Sequence, residues 1–334
     1  MTAFKAMTWN VENLFRPASG VTQADQQRFQ RKLALLADVI NRLDPDVVAL
    51  QEIGGEEPLH DLQQALDGGY PHRAVSAFPD SRGIRVAFLS KHTVDEQEDI
   101  VDFPPGPALD IRDLTATGGS TPINRMSRGA LRIRVTKNGL TVDLITAHLK
   151  SKLLSFPRPG GGTDFSTRDE GKRAQVAGIA LMRRMAEAVT LRIRVNALLE
   201  GNNRTPLLVL GDVNDVPEAQ TSLILNGPPG SEIGTRGFDQ PDRGDDARLF
   251  NLAPRIPQDR RFSRVEHGRR ELLDQIFASE EFFPIGQDNR RRLPEEVDSH
   301  IDFESHLPPV GNDPGAREKA IAPDHAPVTA SFDL

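Results

Sequence analysis

Cysteine is absent from the 334-residue sequence, and its absence excludes several kinds of chemistry. Disulfide bonds, zinc sites made of thiolates and a cysteine nucleophile are all ruled out. The sequence also lacks long hydrophobic runs, since none approaches the roughly 18 residues that a membrane-spanning helix needs. Its first residues, MTAFKAMTWN, lack the long apolar segment of a signal peptide. We therefore expect a cytoplasmic protein with no transmembrane segment, unless a leader has been removed, and a monomer by default.

An excess of basic residues is missing as well. Lys and Arg number 41 and Asp and Glu number 48, which gives a formal net charge of -7 at pH 7. A protein that coats nucleic acid non-specifically is usually basic, because phosphate contacts supply most of its affinity. Any contact of this protein with phosphate must therefore be local, or be made through a cation.

The apolar segments of the sequence predict a set of β-strands. The segments VVAL and LLVL do not alternate, so we expect them to be central strands covered on both faces. The segment LRIRV alternates, and the Asn138-Gly139 pair that follows it is a strong signal for a two-residue hairpin. The predicted strands are residues 4–9, 47–50, 84–89, 131–135, 140–147, 207–210, 272–277 and 326–332.

Two long helices are predicted between these strands. The first runs from about Gln23 to Leu43 and ends before Pro45, because the residue before a proline avoids the α region. The second begins at Thr167, which forms a capping-box pattern with Glu170, and ends near Gly201. The apolar residues expected to face the core are Phe29, Leu33, Leu36, Ile40 and Leu43 in the first helix and Val176, Ile179, Met182, Ala186, Val189 and Ile193 in the second.

The order of the elements indicates a layered sandwich. Strands and helices are interleaved and antiparallel hairpins are present, which is typical of an α/β or α+β fold. The Pro- and Gly-rich segments 104–122, 155–166 and 226–246 are predicted loops, and none resembles a linker because similar strands resume on each side. We therefore expect residues 1–334 to form a single domain.

Six predicted strands carry polar residues suited to ion or phosphate binding at one of their ends. Taken singly, each could be a polar turn residue or a hydrogen-bonded residue of the core. Their repeated occurrence favours a shared pocket, since the strand ends of an open sandwich can gather along one edge. These residues are Asn10, Glu52, His148, Asp212, Asn214, Asp274, Asp324 and His325.

The carboxylates and amides of this set suit a magnesium or manganese site. Both ions prefer hard oxygen ligands, usually one or two carboxylates together with water and substrate phosphate. Glu52 and Asp324 supply carboxylates, and Asn10, Asp212 and Asn214 add oxygens or hydrogen bonds. A cation held there can neutralise charge on phosphate oxygens and lower the pKa of a water molecule.

The two histidines of the set suit proton transfer near neutral pH. His148 and His325 can each gain or lose a proton in that range. A carboxylate such as Asp274 beside His325 would fix the tautomer of the imidazole and stabilise its charged form. The chemistry that such a pocket suits is hydrolysis of a phosphate ester.

Six motifs of the sequence, in order, resemble those of the endonuclease/exonuclease/phosphatase superfamily, which has the DNase I-like fold. They are TWNVENLF, DPDVVALQEI, TAHLKSK, LVLGDVND, ELLDQIFAS and PDHAPV. The likeness is greatest to the bacterial nuclease-like branch, in which an HLKSK stretch precedes a long helix. The resemblance implies a four-layer sandwich of two packed mixed β-sheets flanked by helices, and a requirement for Mg²⁺ or Mn²⁺.

The resemblance also implies roles for the residues that could bind the metal and the phosphate. Asn10 and Glu52 match the first metal-site positions of the family, with Glu52 as the principal ligand, and Asp324 matches another metal ligand. Arg128, in SRGAL, resembles the arginine that contacts substrate phosphate, although a solvated arginine at the start of a strand would look the same.

The remaining matched residues would carry out the proton transfers. His148 matches a general acid or phosphate contact. Asp212 and Asn214 match the pair that orients the attacking water and holds the phosphate. Asp274 matches the carboxylate that pairs with the last histidine, and His325 matches that histidine, a base or phosphate-stabilising group.

The motifs leave the substrate open. They favour a metal-dependent phosphodiesterase, most naturally a nuclease acting on DNA or RNA. A phosphatase or a lipid phosphodiesterase would use the same chemistry, and SKLLSF at 151–156 is a candidate membrane-facing loop. A binding module that retains the fold would have lost ligand residues, and none is lost. Gln275 and Pro323 depart from the usual pattern without replacing a ligand or a proton-transfer residue.

Overall fold

Two six-stranded β-sheets form the centre of the structure. The structure is a computed structural model, and it describes residues 2–106, 109–200, 205–240, 247–287, 290–301 and 310–334. The helices are α1 (Gln23–Leu43), α2 (Glu56–Ala65), α3 (Glu170–Leu199) and α4 (Gln220–Leu225). The strands are β1 (Ala3–Leu14), β2 (Val47–Ile53), β3 (His72–Val75), β4 (Arg85–Ser90), β5 (Val94–Asp102), β6 (Ile111–Leu114), β7 (Ser120–Ile123), β8 (Arg125–Lys137), β9 (Leu140–His148), β10 (Phe156–Pro157), β11 (Thr163–Asp164), β12 (Leu207–Asp212), β13 (Leu249–Asn251), β14 (Arg264–Glu266), β15 (Arg269–Glu271), β16 (Asp274–Ser279), β17 (Glu296–Ser299) and β18 (Val328–Asp333).

Both large sheets are mixed, as the sequence predicts. The first has the strand order β17-β18-β1-β2-β4-β3, in which β1 and β2 are parallel and the other pairs are antiparallel. The second has the order β13-β16-β12-β9-β8-β5, in which β9 and β12 are parallel and the other pairs are antiparallel. VVAL and LLVL lie in interior strands, in agreement with their continuous apolar character.

Three clusters of buried residues define four layers. The central cluster joins the facing sides of the sheets, with Phe88 from the first and Leu144 from the second. A second cluster packs α1 and α2 on the outer side of the first sheet, and a third packs α3 and α4 on the outer side of the second. The predicted four-layer sandwich is therefore confirmed.

The predicted strands are all present, but the loop predictions are partly wrong. The segment 104–122 contributes to the hairpin of β6 and β7, and the segment 155–166 contains the short hairpin of β10 and β11. These strands are short and lie outside the two large sheets, so their sequences lack the apolar runs that mark a buried strand. Of the predicted loop 226–246, residues 241–246 lie outside the described residues, as does Gly201.

Helix α1 has the predicted limits and buries the predicted face. Thr22 caps its N-terminus by accepting a hydrogen bond from the backbone N–H of Asp25, and Asp44 ends it in the left-handed conformation. The five apolar residues assigned to its core face are buried. Packing of this stripe against the first sheet supplies most of the stability of such a helix.

Helix α3 differs from its prediction at the N-terminus and along its face. Asp169, not Thr167, caps the helix by accepting a hydrogen bond from the backbone N–H of Lys172 at 3.0 Å. Met182 and Ile193 are 44% and 49% exposed, whereas Arg184 is buried. The buried row runs through Val176, Ala180, Arg184, Glu187, Leu191, Val195 and Leu199. The predicted apolar stripe differs from this buried row because two positions of the buried row, 184 and 187, hold charged residues.

Strand directions bring several chain segments to one edge of the sandwich. In the second sheet, Asp212 lies opposite His148 of the parallel neighbour and opposite Asp274 of the antiparallel neighbour. In the first sheet, Asn10 lies opposite Gln51, immediately before Glu52. The carboxyl ends of parallel strands meet at the same edge, so the two sheets present their polar ends together.

Gly211 permits the close approach of β12 to β9. Its φ is +155°, and a Cβ atom built there would lie 2.0 Å from the backbone oxygen of Ala147. A side chain at this position would push apart two central strands immediately before Asp212. The glycine that ends the LLVL run is therefore required by the backbone of the strand pair.

Within the segments that the structure describes, none of the helices combines the length and the apolar character needed to cross a membrane.

We expect the substitution Gly211→Ala to destabilise the fold strongly. The methyl group would collide with backbone, which cannot move aside as a flexible side chain can, so the loss of unfolding free energy should be on the order of 3 kcal/mol. Denaturant unfolding followed by circular dichroism measures this loss. Gly178→Ala in α3 is the matched control, because nothing lies within 4 Å of its Cβ position, and it should stabilise the protein by about 0.5–1 kcal/mol. Equal stability of the two variants would contradict the close-approach argument.

Candidate active site

A cavity of about 640 Å³ opens at the edge where the sheet ends meet. We call it the active-site cavity. Asp274 does not line it but lies directly behind His325. The sequence-predicted residues that line it are Asn10, Glu52, Arg128, His148, Asp212, Asn214, Asp324 and His325. The structure therefore brings together all nine residues singled out from the sequence.

Asp212 lies at the centre of the hydrogen bonds around this cavity. Its Oδ2 accepts a hydrogen bond from Nδ2 of Asn10 at 3.0 Å, and its Oδ1 accepts one from the backbone N–H of Asn214 at 2.9 Å. Nε2 of His148 lies 3.4 Å from Oδ2, and Nε2 of His325 lies 3.9 Å away. Burial raises the pKa of Asp212, while the positive charge of His325 opposes this shift. Asp212 is thus a carboxylate suited to accept a proton.

Asn214 is held by the strand ends on both sides of it. It has a positive φ of 53°, and its Nδ2 donates a hydrogen bond to the backbone oxygen of Leu149 at 3.0 Å. The second bond, from its backbone N–H to Asp212, ties the same residue to β12. These two contacts fix the amide at the cavity wall, where it can orient a water molecule or a phosphate oxygen.

His325 and Asp274 form a directly bonded pair. Nδ1 of His325 lies 2.6 Å from Oδ2 of Asp274, and both residues are buried. Burial alone would lower the pKa of His325, but the charges of Asp274 and Asp212 outweigh it and raise that pKa. The imidazole therefore carries a positive charge and turns its Nε2 side toward Asp212 and the cavity.

His148 and Arg128 form a second pair with the opposite electrostatics. A terminal nitrogen of Arg128 donates a hydrogen bond to Nδ1 of His148 at 2.5 Å. Burial and the neighbouring guanidinium lower the pKa of His148 well below its usual value. The imidazole is therefore neutral and carries its proton on Nε2, which points toward Asp212 at 3.4 Å. This arrangement suits a hydrogen-bond donor to phosphate.

The carboxylates of Glu52 and Asp324 also line the cavity. Glu52 accepts a hydrogen bond from the backbone N–H of Asn13 at 2.9 Å and has a positive φ of 66°. Oδ2 of Asp324 forms an ion pair with Arg264 at 3.2 Å. The amide oxygen of Asn10 already accepts the backbone N–H of Glu12 at 3.0 Å, but a carbonyl oxygen has a second lone pair. These donors are all hard oxygens and fit a divalent cation such as Mg²⁺.

A group of three charged residues, two buried and one partly buried, supports Asp324 and was not predicted from the sequence. The guanidinium of Arg317 donates to both carboxylate oxygens of Glu12, and Lys32 donates to the backbone oxygen of Glu12 at 2.6 Å. Glu12 in turn accepts the backbone N–H of Asp324 at 3.1 Å. Glu12 therefore fixes the backbone that presents Asp324. No pattern in the sequence connects residues so far apart in the chain.

Glu187 of α3, also missed from the sequence, holds two active-site segments together. It accepts hydrogen bonds from the backbone N–H and the hydroxyl of Ser127 at 2.8 and 2.7 Å and from the backbone N–H of Lys150 at 2.5 Å. Ser127 precedes Arg128, and Lys150 lies two residues after His148. One buried carboxylate therefore sets the relative position of the Arg128–His148 pair.

Arg184 lies one helical turn before Glu187 in α3 and contacts the same part of the site. It donates to the carboxylate of Asp215 at 3.2 Å and to the backbone oxygen of Lys150 at 3.0 Å. A signal for both residues exists in the sequence, because Arg184 and Glu187 fall in phase with Val176, Ala180 and Leu191. Charged residues at buried helix positions indicate a polar network beneath the helix.

Asp212, Asp274 and His325 also form a group that could hold a metal ion. Their ligand atoms lie within 4.8 Å of one another, and all three residues are buried. The 2.6 Å bond between Asp274 and His325, however, already occupies one ligand atom of each. Glu52 and Asp324 also have one carboxylate oxygen bonded each, but unlike Asp274 they line the cavity.

Gln275, which departs from the family pattern, has a structural role. Its Nε2 donates to the backbone oxygen of Asp215 at 2.6 Å, and its Oε1 accepts from Asn251 at 2.7 Å. It is buried and does not line the active-site cavity. The departure therefore leaves the ligand set of the cavity unchanged.

Comparisons with known proteins give the family and the fold of the chain. The model of the Endonuclease/Exonuclease/phosphatase family matches residues 7–294. An endonuclease/exonuclease/phosphatase from Bacteroides vulgatus has a similar structure, with 13% identity, coverage of 100% of both chains and a TM-score of 0.56. TDP2 from C. elegans is 14% identical over 99% of this chain and 75% of that chain, with a TM-score of 0.55. Humanized D. rerio TDP2 is 16% identical over 99% of both chains, also with a TM-score of 0.55.

These structural similarities concern the fold, since the identities are low. No curated protein matches the sequence. The family match, in contrast, extends over most of the chain. The chain therefore belongs to the Endonuclease/Exonuclease/phosphatase family and is a hydrolase of the phosphodiesterase type.

Proposed function

We propose that this protein, acting as one domain over residues 1–334, is a divalent-metal-dependent nuclease that hydrolyses phosphodiester bonds of DNA. The observation that carries this proposal is the position of Asp212, with two histidines within 4 Å of its carboxylate and two amide donors bonded to it. A buried proton acceptor flanked by imidazoles is suited to activate a water molecule for hydrolytic attack.

Asp212 and Asn214 are the residues that would activate the attacking water. A water molecule between them can donate one hydrogen to Asp212 and be oriented by the Asn214 amide. As the water oxygen forms its bond to phosphorus, its proton passes to the Asp212 carboxylate. The bond to the leaving oxygen breaks on the opposite side, and this oxygen keeps the electron pair and takes a proton from solvent. The raised pKa of Asp212 favours this transfer.

The histidine pairs would stabilise charge on the phosphate. His325 is charged because of Asp274, so it can offset negative charge on a phosphate oxygen from Nε2. His148 is neutral and donates from its own Nε2, while Arg128 holds its orientation. The assignment of His148 as a phosphate contact thus has better support than its assignment as a general acid.

Glu52, Asp324 and Asn10 are the residues that would bind the divalent metal. When bound, Mg²⁺ or Mn²⁺ would supply positive charge beside the phosphate oxygens and a Lewis acid for the ester. Glu12 would preserve the geometry of this site, because it holds the backbone N–H of Asp324.

We expect Glu52→Gln and His325→Ala to abolish most of the hydrolytic activity. Glu52→Gln removes an anionic ligand of the metal, and His325→Ala removes a positive charge beside the phosphate. For each variant, kcat/KM on plasmid and single-stranded DNA with Mg²⁺ should fall by on the order of 10²–10³-fold. Glu57→Gln and His60→Ala on the exposed side of α2 are matched controls, since neither residue lines the active-site cavity. Undiminished cleavage by both active-site variants would show that the reaction occurs elsewhere.

Metal binding distinguishes the Glu52 site from the buried group of Asp212, Asp274 and His325. In calorimetric titration with Mn²⁺, Glu52→Gln should weaken binding by at least about tenfold, because an anionic oxygen ligand is lost. Asp274→Asn should change the affinity by much less, since Asp274 is bonded to His325. The opposite ranking of the two variants would place the metal in the buried group.

A further inference from the structure

A second cavity of about 570 Å³ adjoins the active-site cavity, and we call it the basic cavity. Residues at the start of β8 and in the segment 150–165 supply much of its lining, and α3 adds Arg183. The wall that the two cavities share is made by Arg82, Arg128, Ser151, Leu153 and Phe165. A ligand bound at the catalytic residues could therefore extend directly into the basic cavity.

The basic cavity carries positive charge in a chain whose formal net charge is -7. Five cationic side chains and two carboxylates line it. An excess of cations in an otherwise acidic protein marks the place where a polyanion can approach. The cationic residues are Arg82, Arg125, Arg128, Lys150 and Arg183, and the carboxylates are Asp80 and Asp113.

The side chains of two of these cations, Lys150 and Arg125, are not engaged by a carboxylate of the described chain. Lys150 donates from Nζ to the backbone oxygens of Ser151 at 3.1 Å and Leu153 at 3.0 Å, and no carboxylate of the described chain forms an ion pair with it. Burial and the neighbouring charge of Arg183 lower the pKa of Lys150 to about 8. Arg125 is exposed and has no ion pair within the same described segments.

The shared wall also presents apolar side chains to solvent. Phe165 is 62% exposed and Leu153 is 53% exposed, and both line both cavities. Proteins that bind single-stranded nucleic acid combine a cationic groove for the backbone with exposed aromatic rings on which bases stack. Phe165 lines the same cavity as Lys150 and Arg125, so this cavity has that combination.

We propose that the basic cavity binds the nucleotide next to the scissile phosphate of a single-stranded nucleic acid. Arg125 and Lys150 would contact its phosphate, and its base would stack on Phe165. This inference rests on the proposed function and deepens it, because it specifies a substrate longer than one phosphoester group. The charge of the cavity favours a polyanion over an uncharged or small substrate.

The test compares a substrate that fills both cavities with one that fills only the active-site cavity. A single-stranded oligonucleotide is the long substrate, and bis(p-nitrophenyl) phosphate is the short one. Phe165→Ala should raise KM for the oligonucleotide about tenfold, since stacking of a base on the ring is lost, and should change KM for the short diester by a clearly smaller factor, because Phe165 also lines the active-site cavity. Phe165→Tyr should retain the wild-type KM, and Phe165→Leu should behave as Phe165→Ala, because leucine has no aromatic face.

Salt dependence tests the phosphate contact separately. For Arg125→Ala, the slope of log KM against log salt concentration for the oligonucleotide should decrease in magnitude by about 0.7, the value for one phosphate contact on a single strand. Arg255→Ala and Met182→Ala are controls, because both side chains are exposed and neither lines a cavity at the site. An unchanged slope for Arg125→Ala would contradict the assigned phosphate contact.

A binding measurement tests the inference without catalytic turnover. Fluorescence anisotropy of a labelled oligonucleotide, with chelator present, should give a Kd that Phe165→Ala raises about tenfold and Phe165→Tyr does not. Equal effects of Phe165→Ala on the two substrates, or no effect on either, would overturn the proposal. So would binding to vesicles of anionic phospholipid that Phe165→Leu retains and Phe165→Ala loses, since a lipid surface needs apolar area and not an aromatic face.

Failure of the inference can be distinguished from failure of the proposed function. If the wild-type protein hydrolyses bis(p-nitrophenyl) phosphate with Mg²⁺ but has no affinity for the oligonucleotide, the hydrolase site is retained and the basic-cavity proposal is overturned. A wild-type protein that hydrolyses neither substrate contradicts the proposed function, while Phe165-dependent anisotropy would still support the basic cavity.

Discussion

The buried carboxylate of Asp212 is the constraint on which the rest of the site depends. An ionisable group at 2% exposure is unfavourable unless hydrogen bonds or opposite charges compensate it. Here the compensation comes from Asn10 in the first sheet, from Asn214 beyond β12 and from the charged His325 before β18. The two sheets must therefore meet with these ends in register, and the same contacts that compensate the carboxylate also assemble the catalytic groups.

The histidines show how one carboxylate-rich edge produces two different proton-binding groups. His325 is bonded to the carboxylate of Asp274 and is held in its charged form, whereas His148 is bonded to the guanidinium of Arg128 and is held neutral. Both turn Nε2 toward Asp212. The two rings differ in the partner that is bonded to Nδ1. That partner sets the charge of the ring, and Nε2, which faces the cavity, is left for substrate.

The sequence predicted the sheets and the residues at their edge better than the contacts that hold that edge. Apolar runs such as LLVL mark interior strands, and the polar residues that end them are visible without any structure. Glu187 and Arg184 were missed because charged residues on a buried helix row break the apolar stripe, which moved the predicted face toward Met182 and Ile193. Glu12 and Arg317 were missed because their ion pair joins positions that no local pattern relates.

The residues that the sequence analysis missed share a property that explains why a local sequence pattern does not predict them. Glu187 bonds backbone N–H groups on either side of the Arg128–His148 pair, and Glu12 bonds the backbone N–H of Asp324. Each is a carboxylate that satisfies main-chain donors at an irregular strand end, where the sheet ladder no longer supplies partners. The need for such partners follows from ending several strands at one buried edge. Glu187 reaches these donors from α3 and Glu12 reaches them from the end of β1, so the side chain that supplies each partner is decided by tertiary packing and not by local sequence.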